Sequence, residues 1–229
     1  MTSQETKNAR PLLKPTMTSQ ETKADDIVQS APFLEEISKR EINSLELHRY
    51  PGPISLIDSD EKMGDALKKL RKEGVLGFDT ETRPAFKKGQ SYLPSLVQLC
   101  GEERVYVFQL EGLLSKRPLF NLLSDKDIRK VGVAMDYDVR QLLEHQKFHP
   151  AGFVNLETLA DQIGIKNNGL RALTAIVLGF RISKSEQRSN WSRKELSERQ
   201  ITYAATDAWV SREIYLRLDK ELRHRENGN

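Results

Sequence analysis

The chain has 229 residues, of which 38% are hydrophobic and 30% are charged, with a net charge of +3 and a pI of about 8.9. This composition excludes a fibrous or disordered chain, and it permits polyanion binding without requiring it. The single cysteine, Cys100, excludes an intramolecular disulfide and a cysteine-rich zinc site. From the length of the chain we expect one folded domain with tails rather than two small domains. Because the sequence has no apolar run of membrane-spanning length and no signal-peptide core, we expect a cytoplasmic location.

The N-terminal region begins with a repeated heptapeptide, MTSQETK, which occurs twice within the first 23 residues. The unit is too short and polar to be a structural repeat, so we expect residues 1–30 to form a disordered tail. Residues 31–53 are a charged, weakly helical lead-in that ends at Pro51-Gly52-Pro53. The folded domain is therefore predicted at residues 54–223, followed by a short tail at residues 224–229.

Short apolar runs alternate with helical patterns along the predicted domain. The predicted strands are at residues 54–57, 75–78, 96–100, 105–108 and 130–134, with a further candidate at 154–156. The predicted helices are at residues 58–74, 113–123, around 142–143, at 170–178 and at 197–223. The turn at 101–104 joins two of the strands as a hairpin. A hairpin followed by strand–helix alternation predicts an α/β sheet with one antiparallel strand, covered by helices.

The last predicted helix places a phenol and a carboxylate on one face. Tyr203 and Asp207 are four residues apart, and side chains at this spacing lie one above the other on a helix. Ser197 and Gln200 have capping-box spacing and mark the start of the helix. Because alanines surround the pair, another layer can pack closely against it. A carboxylate held against such a layer needs a partner, since burying an unpaired charge costs several kcal/mol.

Further acids follow two of the predicted strands. Asp79 and Glu81 come directly after the strand at 75–78, and Asp136 and Asp138 come directly after the strand at 130–134. In open α/β sheets, binding sites form beyond the carboxyl ends of the strands. We therefore expect acids from both strands to meet at this edge of the sheet, and Asp207 can complete the cluster.

Four such carboxylates carry a formal charge of −4 and would raise one another's pKa unless cations neutralised them. Two divalent ions supply the matching charge. Oxygen ligands select Mg²⁺ or Mn²⁺ over zinc, for which the sequence has no suitable Cys/His set. A pair of such ions can activate a water and stabilise the leaving oxygen in a displacement at phosphorus.

Each acid also has an ordinary interpretation. Asp79 alone is typical of a cap or turn, and Asp138 alone is typical of an acid at a helix N-terminus, which the macrodipole favours. Tyr203 and Asp207 alone are more often a surface pair. The combination is far more specific than its parts, because the three patterns occur in the chain order of one known constellation.

These patterns resemble the DEDDy class of 3′→5′ exonucleases, the group that contains ribonuclease D, the Werner-type exonuclease domain and the proofreading domains of DNA polymerases. Residues 78–81 are similar to the first motif, 131–138 to the second and 203–207 to the third, with supporting similarity at 95–100 and 184–191. The resemblance implies a ribonuclease-H-like α/β fold, in which helices cover both faces of a mixed five-stranded sheet with one antiparallel strand. It also implies hydrolysis of a terminal phosphodiester bond to release nucleoside 5′-monophosphates.

The resemblance assigns a role to each acid. Asp79, Glu81 and Asp207 would hold the ion that generates the nucleophile. Asp79 would bridge to a second ion, which Asp138, rather than Asp136, would help to hold. Tyr203 would orient the attacking water, because an ordinary phenol with a pKa near 10 is a better positioning group than a proton acceptor at neutral pH.

The expected partner is nucleic acid with a single-stranded 3′ end. Candidate substrate contacts are Thr80, Lys87, Lys88 and Arg188, although a solvated surface explains the lysine pair about equally well. Trp191 either stacks on a base or closes the core beneath the last helix, and we favour the core.

Two other functions are consistent with the same sheet. A degenerate domain that only binds nucleic acid would normally have lost one of the acids, and all four are present here. An endonuclease of the ribonuclease H type lacks the tyrosine motif. The sequence therefore favours an exonuclease over both alternatives.

Overall fold

The computed structural model describes residues 33–227, so the tail predicted at 1–30, with its repeated heptapeptide, lies outside the described residues. Within that range the strands are β1 Ile54–Ile57, β2 Val75–Thr82, β3 Pro94–Cys100, β4 Val105–Gln109, β5 Arg129–Gly132 and β6 Phe153–Asn155. The α-helices are α1 Lys39–Ser44, α2 Asp60–Leu70, α3 Arg117–Leu123, α4 Met135–His145, α5 Leu156–Gln162, α6 Leu170–Leu173 and α7 Glu198–Asn227. A 3₁₀ turn at Leu110–Gly112 precedes α3, and a π-helical turn at Thr174–Leu178 follows α6.

The strands form one mixed sheet in the order β1-β4-β3-β2-β5-β6. Strand β3 is antiparallel to both of its neighbours, while the other pairings are parallel. This topology confirms the predicted mixed α/β sheet with one antiparallel strand. The implied count of five strands is wrong, because the described residues contain six. The sixth strand is β6, which overlaps the further candidate at 154–156 and whose three residues gain their regular structure by pairing with β5.

Helices cover both faces of the sheet. The central strand β3 is buried along its whole length, and its side chains alternate between two apolar layers. Val97 and Leu99 pack into the layer that includes α2 and α3, whereas Leu96 and Cys100 pack into the layer that includes α7. Burial raises the pKa of the Cys100 thiol to about 12. No helix in residues 33–227 has both the length and the apolar character needed to cross a bilayer.

Strand β2 is longer than its apolar run predicts. The prediction ended this strand at residue 78 and placed Asp79 and Glu81 beyond it, but both acids lie inside β2. They are opposite Gln98 and Leu96 of β3, because the antiparallel pairing continues to the end of β2. On the other edge of β2, the pairing with β5 covers only Val75 to Gly77. The acids therefore lie on a strand that is paired on one side and open on the other.

Helix α7 begins as its sequence predicts. The backbone N–H of Gln200 donates to the Ser197 hydroxyl at 3.2 Å, and the backbone N–H of Ser197 donates to the Gln200 side-chain oxygen at 3.1 Å. This reciprocal pair is the predicted capping box. The helix extends to Asn227, beyond the predicted end at residue 223.

The lead-in is attached to the rest of the described chain by backbone pairing. Its only described α-helix is the short α1, so most of the weakly helical segment predicted here is not helical. The backbone N–H of His48 donates to the Arg181 carbonyl at 2.9 Å, and that of Tyr50 donates to the Thr206 hydroxyl at 3.0 Å. Leu47 forms an isolated bridge with Arg181. These contacts place the lead-in beside α7.

Helix α7 lies directly on strand β2 at a glycine. A Cβ atom added to Gly77 would overlap the carbonyl oxygen of Ala208 and would lie 3.0 Å from the Cβ of Arg212. Only a residue without a side chain allows the helix backbone to approach the strand this closely. Gly77 therefore sets the separation of the two elements.

The Gly77→Ala variant is expected to lose on the order of 1–3 kcal/mol of unfolding free energy, because the obstructing atom belongs to the backbone and the helix must move. Gly64, within α2, is a matched control: an added Cβ there meets nothing within 4 Å. Gly64→Ala is expected to raise the stability by about 0.5–1 kcal/mol through better helix propensity. Denaturant unfolding of the three proteins measures both effects, and equal midpoints would contradict the close packing at Gly77.

Candidate active site

Strand β2 and helix α7 bring three acids together. Asp79 and Glu81 are two residues apart on β2 and therefore lie on one face of the strand. Asp207 projects from α7. One carboxylate oxygen from each of the three lies within 4.8 Å of the other two. Glu81 is only 8% exposed and Asp207 only 6%. The cluster is therefore enclosed between the sheet and the helix.

Asp138 is joined to this cluster through Thr80. It lies in the first turn of α4, and its Oδ1 accepts a hydrogen bond from the Thr80 hydroxyl at 2.9 Å. The backbone N–H of Thr80 donates to Asp79 Oδ1, also at 2.9 Å. Asp136 is exposed, and its backbone carbonyl accepts a bond from the Arg140 side chain. Of the two acids in this turn, Asp138 is therefore the one that reaches the strand.

Burial raises the pKa values of all four carboxyls, and repulsion by neighbouring carboxylates raises those of Asp79, Glu81 and Asp207 further. Burial, followed by the charge of Asp138, raises the pKa of Asp79 to about 7. The pKa values of Glu81 and Asp207 are raised well above their ordinary range. Burial is the largest cause for each, and the charge of Asp79 is the next. Burial also raises the pKa of Asp138, which the Thr80 hydrogen bond partly offsets.

A divalent cation would remove this electrostatic cost, and the donor set fits one. Asp207 Oδ1 is buried and has no hydrogen-bond partner among the described residues. A buried carboxylate oxygen without a partner is costly, so its presence indicates that a cation completes the site. Because the clustered ligands are carboxylate oxygens, they suit a hard ion such as Mg²⁺ or Mn²⁺.

Tyr203 lies one helical turn before Asp207. Burial, and then the charges of Asp207, Glu81 and Asp79, raise the pKa of its phenol above the usual value. The phenol is therefore protonated at neutral pH and can donate a hydrogen bond. The Tyr203 ring lies 5.9 Å from that of Trp191, which is fully buried. This confirms the core interpretation of Trp191.

The predicted basic contacts lie in exposed loops outside the carboxylate cluster. Lys87 and Lys88 are exposed after β2, and neither forms an ion pair within residues 33–227. The Arg188 guanidinium lies 5.9 Å from the ring centre of Phe86, an aromatic side chain that is 75% exposed. Thr80 differs from these residues, because its hydroxyl donates to Asp138.

The cavity over the acids includes residues to which the sequence patterns gave no role. It has a volume of about 530 Å³ and is lined by Asp79, Glu81, Tyr203 and Asp207, among others. Lys184 also lines it, and the positive charge of this residue lowers the pKa of Asp207. Ile37, Lys39 and Ile42 of the lead-in form part of the wall. No local spacing identifies these three residues, because they reach the site only through tertiary contacts.

Comparison with known proteins identifies the family to which the chain is similar. A family model described as 3′-5′ exonuclease matches residues 54–223. Ribonuclease D of Gluconacetobacter diazotrophicus is 33% identical over 182 residues, covering 76% of this chain and 44% of the relative. The mouse bifunctional 3′-5′ exonuclease/ATP-dependent helicase WRN is 34% identical over 160 residues, covering 67% of this chain and 11% of the relative.

Solved structures show the same fold. The crystal structure of Escherichia coli RNase D, described as an exoribonuclease involved in structured RNA processing, matches with a TM-score of 0.68 and 25% identity. The match covers 74% of this chain and 45% of that one. The EXO domain of Aedes aegypti Nibbler matches with a TM-score of 0.71 and 24% identity, covering 77% and 93% of the two chains. This chain spans less than half the length of the two curated relatives.

The metal-free protein is expected to lose stability as the pH rises. Because the pKa of Asp79 is raised from an ordinary 3.8 to about 7, the folded state binds more protons than the unfolded state between these values. Unfolding free energy in EDTA should therefore fall from about pH 4 to about pH 7, and Asp79→Asn should remove on the order of 4 kcal/mol of this fall. Thermal unfolding at several pH values measures the difference.

Asp136→Asn is the control for this experiment, since Asp136 is an exposed acid in the first turn of α4. It should follow the wild-type pH profile. Addition of Mg²⁺ or Mn²⁺ at pH 8 should restore stability to the wild type more than to Asp79→Asn. Parallel pH profiles for wild type and Asp79→Asn would contradict the repulsion inferred here.

Proposed function

Since the chain belongs to the 3′→5′ exonuclease family, as the sequence motifs predicted, we propose that it removes nucleotides from the 3′ end of a nucleic acid. The products would be nucleoside 5′-monophosphates. The observation that supports this most directly is the enclosed cluster of Asp79, Glu81 and Asp207 beside the Tyr203 phenol.

We propose that Asp79, Glu81 and Asp207 hold one divalent ion and that Asp79, assisted by Asp138, holds a second. Mg²⁺ and Mn²⁺ are the ions that this oxygen donor set suits. When bound, such ions lower the pKa of a coordinated water and stabilise charge on the leaving oxygen. The protein supplies the fixed carboxylates, and the Thr80 bonds to Asp79 and Asp138 hold two of them in position.

Tyr203 is proposed to orient the attacking water. Its raised pKa keeps the hydroxyl protonated, so it acts as a donor or positioning group rather than as a general base. Lys87, Lys88 and Arg188 are proposed to contact phosphates of the strand, because their positive charges are exposed in loops beyond the cluster. A direct contact of Thr80 with the substrate stays a prediction.

The proposed substrate is a single-stranded 3′ end of DNA or RNA. The Escherichia coli relative is described as acting on RNA, and the mouse relative is named as a 3′-5′ exonuclease with a helicase. We also propose a cytoplasmic location, which is supported by the single, buried cysteine that suits a reducing compartment.

A 5′-labelled single-stranded oligonucleotide, as DNA and as RNA, tests the activity in Mg²⁺ or Mn²⁺. The expected result is a ladder that shortens from the 3′ end. Asp79→Ala and Asp207→Ala should each lower the rate by at least about 100-fold, because losing even a residue that supports a metal ligand costs 10–100-fold. Gel electrophoresis over time measures these rates.

Asp136→Asn is the matched acidic control and should retain the wild-type rate. An intact strand with both metals would contradict the proposed activity and favour a domain that only binds nucleic acid. Cleavage of a circular single strand at a similar rate would instead identify an endonuclease.

The Tyr203→Phe variant tests the role of the phenol separately. Because the hydroxyl positions a water and does not bind the metal, kcat should fall by about 10–100-fold, below the full range of acid–base catalysis, while KM changes little. Steady-state kinetics and a metal titration followed by thermal unfolding measure the two properties. A large change in metal affinity would show that the hydroxyl supports the metal site instead.

A further inference from the structure

A second cavity adjoins the carboxylate cavity and has no assigned role. Its volume is about 510 Å³, within the range of small-molecule sites, and it shares Ser183, Tyr203 and Asp207 with the first cavity. Its outer wall includes Leu47 to Arg49 of the lead-in. These residues precede position 54, where the match to the family model begins.

We propose that this cavity binds the nucleotide adjacent to the cleaved bond, with the lead-in supplying a stacking ring and a phosphate contact. The inference rests on the proposed function, because a strand cut at the carboxylates must continue into space beside Tyr203 and Asp207. It assigns part of the substrate site to a segment outside the matched domain.

The wall of the cavity is fixed in place by hydrogen bonds. Arg181 donates from its backbone N–H to the Glu46 carbonyl at 2.9 Å and from its side chain to the Leu45 carbonyl at 2.9 Å. The His48 N–H donates back to the Arg181 carbonyl at 2.9 Å. The Tyr50 N–H then bonds to the Thr206 hydroxyl of α7. A segment held at both ends in this way can present side chains in a defined arrangement.

His48 is the end of an aromatic stack. Its ring lies 4.5 Å from that of Phe180 at an interplanar angle of 13°, and Phe180 stacks on Trp209 at 5.6 Å and 11°. The inner rings belong to a packed apolar layer, whereas the His48 side chain is 40% exposed and lines the cavity. Nucleobases commonly stack on such an aromatic face, including that of histidine. The His48 ring is therefore exposed enough to stack with a base, while its Nε2 lies 3.3 Å from the Glu46 carboxylate.

The charges of the wall suit a phosphate at one position. Arg49 is exposed and forms no ion pair within the described part of the chain. Arg199 also lines the cavity, but it pairs with Glu186 at 3.2 Å, and the carboxylate of Glu198 lies on the same wall. Since Glu198 repels a phosphate, we place the phosphate contact at Arg49. The hydroxyls of the cavity can then bond the ribose or the base edge.

Binding of a 5′-labelled single-stranded oligonucleotide in EDTA, followed by fluorescence anisotropy, tests this site without hydrolysis. His48→Ala and Arg49→Ala should each weaken binding by about 5–10-fold. Arg49→Ala should also reduce the slope of log affinity against log salt by about 1, as expected for one lost phosphate contact. His48→Phe should restore the affinity, because it keeps the stacking face.

Arg40→Ala is the matched control, since Arg40 is an exposed arginine of the same lead-in and does not line the cavity. It should bind as the wild type does. Competition with 5′-AMP, which displaces the labelled strand, then identifies the nucleotide that the cavity holds. If His48→Ala weakens displacement by 5′-AMP, the cavity binds the released nucleotide. If His48→Ala weakens strand binding but leaves displacement by 5′-AMP unchanged, the cavity binds the preceding nucleotide.

The inference is overturned if His48→Ala and Arg49→Ala bind the strand within twofold of the wild type. That result leaves the proposed activity intact when the wild-type protein still produces a ladder with Mg²⁺. Conversely, a wild type that binds but does not cleave overturns the proposed activity, and the binding data still decide the role of the cavity. Thermal unfolding of each variant confirms that the lead-in remains packed.

Discussion

The packing of helix α7 on strand β2 determines where the acidic side chains meet. Gly77 lets the helix backbone lie against the strand at Ala208. Asp207 immediately precedes this contact on the helix, and Asp79 follows it by two residues on the strand. Because side chains alternate along a strand, Glu81 then lies on the same face as Asp79. One close backbone contact thus fixes the position of Asp207 relative to Asp79 and Glu81, two carboxylates that lie more than a hundred residues earlier in the sequence.

The same contact has an electrostatic cost. It encloses the carboxylates between two layers, where their charges are poorly hydrated and repel one another. The fold accepts this because apolar layers on both faces of the sheet hold the elements together. Such a site favours a bound cation, since the cation would relieve the repulsion between carboxylates that folding creates. Affinity for metal and instability without it therefore have one origin.

Much of the fold could be predicted from local patterns, and the remainder depends on distant contacts. The capping box of Ser197 and Gln200 marks the start of α7 because both partners are close in sequence. The true end of β2 could not be read from its apolar run, because pairing with β3 carries the strand through two acids. The strand β6 is equally dependent on its neighbour β5.

The site shows the same division. The i, i+4 spacing places Tyr203 and Asp207 on one face of α7, and that relation is local. The spacing could not choose between Asp136 and Asp138, because the choice depends on how α4 is turned towards Thr80. The lead-in carries no pattern that links it to the site, since its hydrogen bonds reach Arg181 and Thr206, more than a hundred residues away.

The buried thiol of Cys100 gives the molecule a built-in reporter of its own opening. Cys100 faces α7 from β3, and burial raises its pKa to about 12, so hardly any thiolate exists in the closed protein. Thiol reagents attack the thiolate, and they need access to the sulfur. Modification of the native protein must therefore wait for α7 to separate from the sheet. The labelling rate in dilute reagent would therefore report the fluctuations of the layer that assembles the acids. No other thiol would contribute to the signal, because Cys100 is the only cysteine in the sequence.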